Sequence, residues 1–103
     1  MSGETTNTYD HVGPVLQSGA LGNAIVAAIR DLNSGVIVVD RGAYLRVLAP
    51  RTCLVTRIGI EKHLGRPMRF PGELETVMSA FKGAIHLTQD EAVWKFKLAS
   101  DVG

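Results

Sequence analysis

Only one cysteine, Cys53, occurs in the 103 residues, so no disulfide can form within the chain and a cross-linked scaffold is excluded. A lone thiol fits a reducing cytoplasm, the expected location. Long hydrophobic runs are also missing. The longest uninterrupted apolar stretches cover residues 24–29 and 36–39, far short of the roughly 18 residues a membrane span requires. The opening Met-Ser-Gly-Glu-Thr-Thr-Asn has neither a basic start nor an apolar stretch, so no secretory signal is expected. Charge of one sign is lacking too: 11 Lys and Arg against 10 Asp and Glu leave a net charge of +1. That balance supplies no electrostatic drive toward nucleic acid or an anionic membrane. The densest basic group, Arg57, Lys62, Arg66 and Arg69, is small and reads as a solvated face before a phosphate site.

Reactive constellations are as scarce. The three histidines, His11, His63 and His86, stand at no metal-ligand spacing to one another or to Cys53. Cys53 lies within an apolar strand pattern with no basic partner implied, which favours an inert buried thiol over a nucleophile. His86 alternates with Ile85 and Leu87 and so points to solvent or the far sheet face; His63 falls on the polar side of a short helix. The Asp90-Glu91 pair occupies a hairpin tip, and Glu73 with Glu75 opens a helix, where acidic groups complement the helix dipole without becoming general acids. No nucleotide loop, nucleophile elbow or calcium loop is present. These absences argue against an enzyme and for a binding module.

What the chain does contain is a clear alternation of periods. Residues 12–16 form a short apolar segment broken by Gly13-Pro14, which suggests an edge strand. Leu21, Ile25, Ala28, Ile29 and Leu32 recur every three or four residues and predict a helix over 19–32, closed by Asn33-Ser34-Gly35 in a left-handed turn. Residues 36–40 and 43–49 predict a hairpin around Arg41-Gly42, and 52–57 a further strand. A short helix over 58–64 ends at Gly65. Pro71 then opens another helix whose stripe Leu74, Val77, Met78 and Phe81 runs to a closing Gly83. Residues 84–89 and 92–98 predict a final hairpin, with Ala92, Trp94, Phe96 and Leu98 on one face and Lys95 and Lys97 on the other. The expected fold is α+β: two β-α-β-β halves, about 11–50 and 51–98, packed as one domain (11–103) of antiparallel sheets with two to three helices. Residues 1–10, polar and aperiodic, are expected to form a flexible N-terminal tail.

Specific residues carry more than composition does. His11-Val12-Gly13-Pro14-Val15-Leu16, then Val39-Asp40-Arg41-Gly42-Ala43-Tyr44-Leu45-Arg46-Val47, then Leu64-Gly65-Arg66-Pro67, Glu73-Leu74-Glu75, Phe81 and Gly83-Ala84-Ile85 follow one another in order. This series resembles the effector (coupling) proteins of bacterial multicomponent di-iron monooxygenases, closest to the toluene and alkene monooxygenase effectors and related to the methane and phenol hydroxylase regulatory proteins. It departs from that pattern at Asp10-His11, where asparagine is common, at Met68 in place of a phenylalanine, and at Ser79-Ala80-Phe81.

The resemblance implies a chain with no metal, flavin or other cofactor of its own. It implies a partner, the hydroxylase component, in a system completed by a reductase and a Rieske ferredoxin, and a monomer when free. It also implies a contact surface: Ser79, Ala80, Phe81 and Gly83, flanked by Arg66, Pro67 and Met68, with His11, Val12, Gly13 and Pro14 ordering on docking. Arg46 is either an exposed strand residue or an anchor for hydroxylase carboxylates. Each of these has a plainer alternative. Phe81 continues a core stripe, Gly83 closes a helix, and Gly13-Pro14 shapes an edge strand. A competing reading is a small-molecule-sensing α+β domain, which requires a ligand-sized pocket and a homo-oligomer.

Overall fold

The computed structural model describes residues 8–97. Elements follow in the order β1 (His11–Gln17), α1 (Ala20–Leu32), β2 (Ile37–Asp40), β3 (Tyr44–Pro50), β4 (Thr52–Thr56), α2 (Arg57–Leu64), α3 (Gly72–Val77), β5 (Met78–Lys82), β6 (Ala84–Leu87) and β7 (Glu91–Lys95). They build an antiparallel four-stranded sheet, β2-β3-β1-β5, and an antiparallel three-stranded sheet, β4-β7-β6. The expected α+β class of antiparallel sheets with two to three helices is therefore observed, as two sheets and three helices among the described residues.

The core lies between these layers. Alternation along β1 and β3 turns Val12, Leu16, Val47 and Ala49 inward. Ile25, Ala28 and Ile29 of α1 meet them from above, and Val55, Ile60, Leu74, Ala92 and Trp94 close the cluster. Helix α1 forms because its apolar positions recur at helical spacing, and Arg30 in its last turn complements the dipole. Helix α2 starts where Thr56 Oγ1 accepts the Gly59 N–H at 3.0 Å. It ends at Gly65, whose left-handed backbone directs its N–H to Glu61 O at 2.8 Å.

Four expectations are corrected. Strand β1 is central, with β3 on one side and β5 on the other. Asn33 closes α1 in an extended conformation, not a left-handed one. Residue Arg57 begins α2 instead of ending β4.

The largest correction concerns the third helix, which stops at Val77. Met78–Lys82 is a strand on the edge of β1, and Phe81 is 44% exposed instead of buried in a helical stripe. The i, i+3, i+4, i+7 spacing of Leu74, Val77, Met78 and Phe81 fits either state. The open side of β1 decides it, because a central strand needs both edges hydrogen-bonded. Gly83 accordingly ends no helix. It sits at the corner where the chain leaves one sheet for the other, at φ +107, and a Cβ there would lie 2.7 Å from Val12 Cγ1 and 2.9 Å from Lys95 O.

Of the expected tail, residues 1–7 lie outside the described residues, as does Leu98 of the last predicted hairpin. Thr8, Tyr9 and Asp10 are anchored. Lys82 Nζ donates to Thr8 O at 3.0 Å and Tyr9 O at 3.2 Å. The Tyr9 ring meets Phe96 edge-on at 5.3 Å. Asp10 bridges to His11 and Arg51, and the Arg51 guanidinium covers Phe96 at 5.2 Å.

Candidate functional site

The outer face of the four-stranded sheet carries no helix among the described residues and gathers much of the residue set expected from sequence. Register places Val39, Arg46, Val15 and Ala80 in one row across β2, β3, β1 and β5. Beside that row lies a groove of about 170 Å³, lined by Gly13, Val15, Arg46, Leu48, Ala80, Phe81 and Lys82. Gly13 is held in its wall by the backbone geometry of β1. A Cβ there would run into the carbonyl oxygen of Val47, and φ is +148, so glycine is required twice over. Tyr44, 42% exposed, and Phe81 are the large exposed rings of this sheet.

Not every expected residue takes part. Val12 and Pro14 are buried on the core side of β1, and Met68, 7% exposed, belongs to the core. His11 is buried beside Asp10. Arg66 and Pro67 lie in the α2–α3 connection. There the Arg66 guanidinium meets Glu73 Oε1 at 3.3 Å, and Glu73 Oε2 accepts the Arg69 N–H at 2.7 Å. The Arg69 backbone donor first, and then the Arg66 side chain, hold the Glu73 carboxyl below its ordinary pKa. Ser79 is exposed on β5. The structure thus brings Gly13, Arg46, Ala80 and Phe81 to one groove and leaves the Arg66–Met68 segment elsewhere. Lys82, which lines the groove, and Tyr44 were not among the candidates. Tyr44 shares the Arg46 face by alternation along β3, whereas the place of Lys82 follows from register with β1 and became legible only once β5 was known to be a strand.

A second, wide and open depression of about 520 Å³ is lined by Arg57, Met68, Arg69, Phe70, Gln89 and Asp90. Its charges are internally paired: Arg57 meets Asp90 Oδ1 at 3.2 Å and Glu61 Oε1 at 3.1 Å, and these bonds raise the Arg57 pKa further. The thiol of Cys53 is fully buried, and desolvation pushes it up to about 12. It is therefore unsuited to nucleophilic chemistry. Among the described residues no three His, Cys, Asp or Glu side chains group as metal ligands, and no helix is long and apolar enough to cross a membrane.

Comparison with known proteins places this geometry in context. Residues 10–95 match the model of the MmoB/DmpM family. The chain is 38% identical over 101 residues to the effector subunit of an alkene monooxygenase system from Xanthobacter autotrophicus strain Py2. That match spans 94% of this chain and 99% of the relative. Its fold is similar to a structure of a phenol hydroxylase–regulatory protein complex, with TM-score 0.73 and 17% identity, covering 84% of this chain and 98% of that one. It is also similar to the soluble methane monooxygenase regulatory protein B, with TM-score 0.65 and 19% identity, covering 92% of this chain and 71% of the other.

Proposed function

Because this chain belongs to the MmoB/DmpM family, we propose that it is a non-catalytic effector that binds the di-iron hydroxylase component of a hydrocarbon monooxygenase. The carrying observation is the 38% identity, nearly end to end, to an alkene monooxygenase effector subunit. Aromatic hydroxylation or alkene epoxidation is the expected chemistry of the system, with a reductase and a Rieske ferredoxin supplying electrons. The chain stays in the cytoplasm and binds as a monomer. Neither the family match nor the similar proteins support the small-molecule-sensing alternative.

The described residues offer a shaped surface and no cluster of reactive groups, and the action we assign is thermodynamic. An effector that binds one hydroxylase conformation better than another shifts the population toward it. A coupling of ~1–3 kcal/mol changes that balance by roughly 5–150-fold. The favoured conformation couples oxygen activation to substrate oxidation and limits loss of activated oxygen as peroxide. The surface we assign to docking is the groove face with Gly13, Arg46, Ala80 and Phe81, together with Ser79 and Gly83 on the same edge.

Reconstitution tests this. Adding the chain in stoichiometric amount to hydroxylase, ferredoxin and reductase raises oxygenated product per NADH consumed and lowers peroxide. Unchanged yields of both would defeat the assignment.

A further inference from the structure

We propose that the outer face of the four-stranded sheet recognises a carboxylate set in an apolar surface of the hydroxylase, with Arg46 as the ion that receives it. This rests on the effector reading and names the chemistry of its partner surface.

The argument begins with the charges. Alternation along β2, β3, β1 and β5 assigns two charged residues to this face, Arg46 and Lys82, both cationic, and no acid. Among the described residues these acids have partners of their own: Asp10 sits at the start of β1 with His11 and Arg51, Asp40 accepts the Gly42 N–H, Asp31 meets His63, Glu61 and Asp90 meet Arg57, and Glu73 meets Arg66. Lys82 is already engaged with the carbonyls of Thr8 and Tyr9. Arg46 is exposed, and its guanidinium makes no side-chain hydrogen bond or ion pair among the described residues.

Its neighbours are unusual for a free cation. The residues directly across from it on both sides are Val39 and Val15, both half-buried, and the groove opens beside it. A guanidinium whose stem lies along apolar surface is weakly hydrated at its head and presents a planar fork matched to a carboxylate. Apolar surroundings also strengthen that pairing when a partner excludes water.

Charge selects among occupants. A second copy of this chain, docked face to face, would bring Arg46 toward its own symmetry mate or toward Lys82, a repulsive arrangement. An acidic residue on the hydroxylase, framed by aliphatic or aromatic side chains to meet Tyr44, Val15 and Val39, satisfies both the charge and the apolar surround.

The test is a titration of the purified hydroxylase component with Arg46→Glu, Arg46→Gln and Arg46→Lys variants of the full chain at low and high salt. Circular dichroism and melting confirm folding, and Lys62→Glu on α2 serves as the control. Arg46→Glu is expected to raise Kd roughly tenfold or more, with Arg46→Lys intermediate. Arg46→Gln should weaken binding and flatten its salt dependence. Folded Arg46 variants that bind like wild type, while wild type still binds, overturn the anchor and leave the effector role intact. A wild type that does not bind at all removes the effector reading itself. Two further outcomes overturn the proposal: a wild-type dimer in sedimentation that Arg46→Glu dissociates, or an Arg46 Nε resonance in the free protein that moves when Glu4 becomes Gln. The first would assign the face to a second copy, and the second to the chain's own N-terminus.

Discussion

The carboxamide of Asn33 acts as a one-residue partner strand for Leu54. Its Oδ1 accepts the Leu54 N–H at 3.0 Å, and its Nδ2 donates to Leu54 O at 2.8 Å. The same Nδ2 donates to Ile29 O at 2.6 Å, in the last turn of α1. β4 is an edge strand, and Leu54 turns its backbone groups outward from β7. One side chain therefore satisfies both the free edge of a sheet and the open end of a helix. This also explains why Asn33 is extended: a left-handed residue would swing the amide away.

Replacing Asn33 with Ala removes all three bonds and leaves partly buried backbone groups unpaired. The expected loss of stability is about 2–3 kcal/mol, read by denaturant unfolding, with faster amide exchange at Leu54. Asn33→Asp keeps an acceptor but sets a carboxylate against two carbonyls, and should cost a similar amount. A loss within error of zero for both would mean that water replaces the amide without penalty.

Glycine positions separate backbone strain from collision. Gly19 has φ +140 with open space around its Cβ position, whereas Gly13 has φ +148 and backs onto the Val47 carbonyl. Gly19→Ala should therefore cost about 1–3 kcal/mol from strain alone. Gly13→Ala should cost more and should loosen the β1–β3 pairing, visible as lost amide protection at Val47 and Val15. Equal costs at the two sites would show that the strands part without resistance.

Much of this was legible in the chain. The period of α1, the run of Val36 to Asp40, and the Trp94 alternation depend on local pattern, and the structure follows them. What was not legible depended on distant partners. Nothing in Leu74–Phe81 tells that β1 needs a second neighbour, so the helical spacing was extended four residues too far. The docking face suffered in consequence. Arg46 and Phe81 could each be singled out from a familiar pattern, and Tyr44 shares the Arg46 face by alternation along β3, yet Lys82 could join that face only through register. Asn33 was recognisable as a helix terminator. That it also terminates a sheet edge 21 positions along the chain could not be read from its neighbours.

Burial makes a pH prediction at Cys53. Desolvation raises its thiol from the ordinary 9.0 to about 12 in the folded protein. The unfolded chain therefore releases a proton between pH 9 and 12 while the folded one does not, so stability falls as pH rises. Below pH 9 the contribution is fully present; it is lost progressively up to about pH 12 at a limiting slope of ~1.4 kcal/mol per pH unit. Comparing wild type with Cys53→Ala isolates this component. Parallel stability curves for the two proteins across that range would contradict the assignment. At pH 8 the native thiol should also react with a disulfide reagent only as fast as the protein opens.

Phe81 separates the core reading of β5 from the docking reading. With 44% of its surface exposed, truncation to Ala removes little buried area and should change stability by less than about 1 kcal/mol. Leu74, fully buried in α3, should lose about 2–5 kcal/mol when cut to Ala. Hydroxylase binding should invert that order. Phe81→Ala is expected to weaken it roughly tenfold, as an aromatic at the centre of an interface does, and Leu74→Ala should leave it near wild type wherever the variant remains folded. Denaturation and binding titrations on the same two variants give four numbers. A Phe81→Ala protein that is destabilised like Leu74→Ala would return Phe81 to the core. One that is stable and binds normally would remove it from the contact surface.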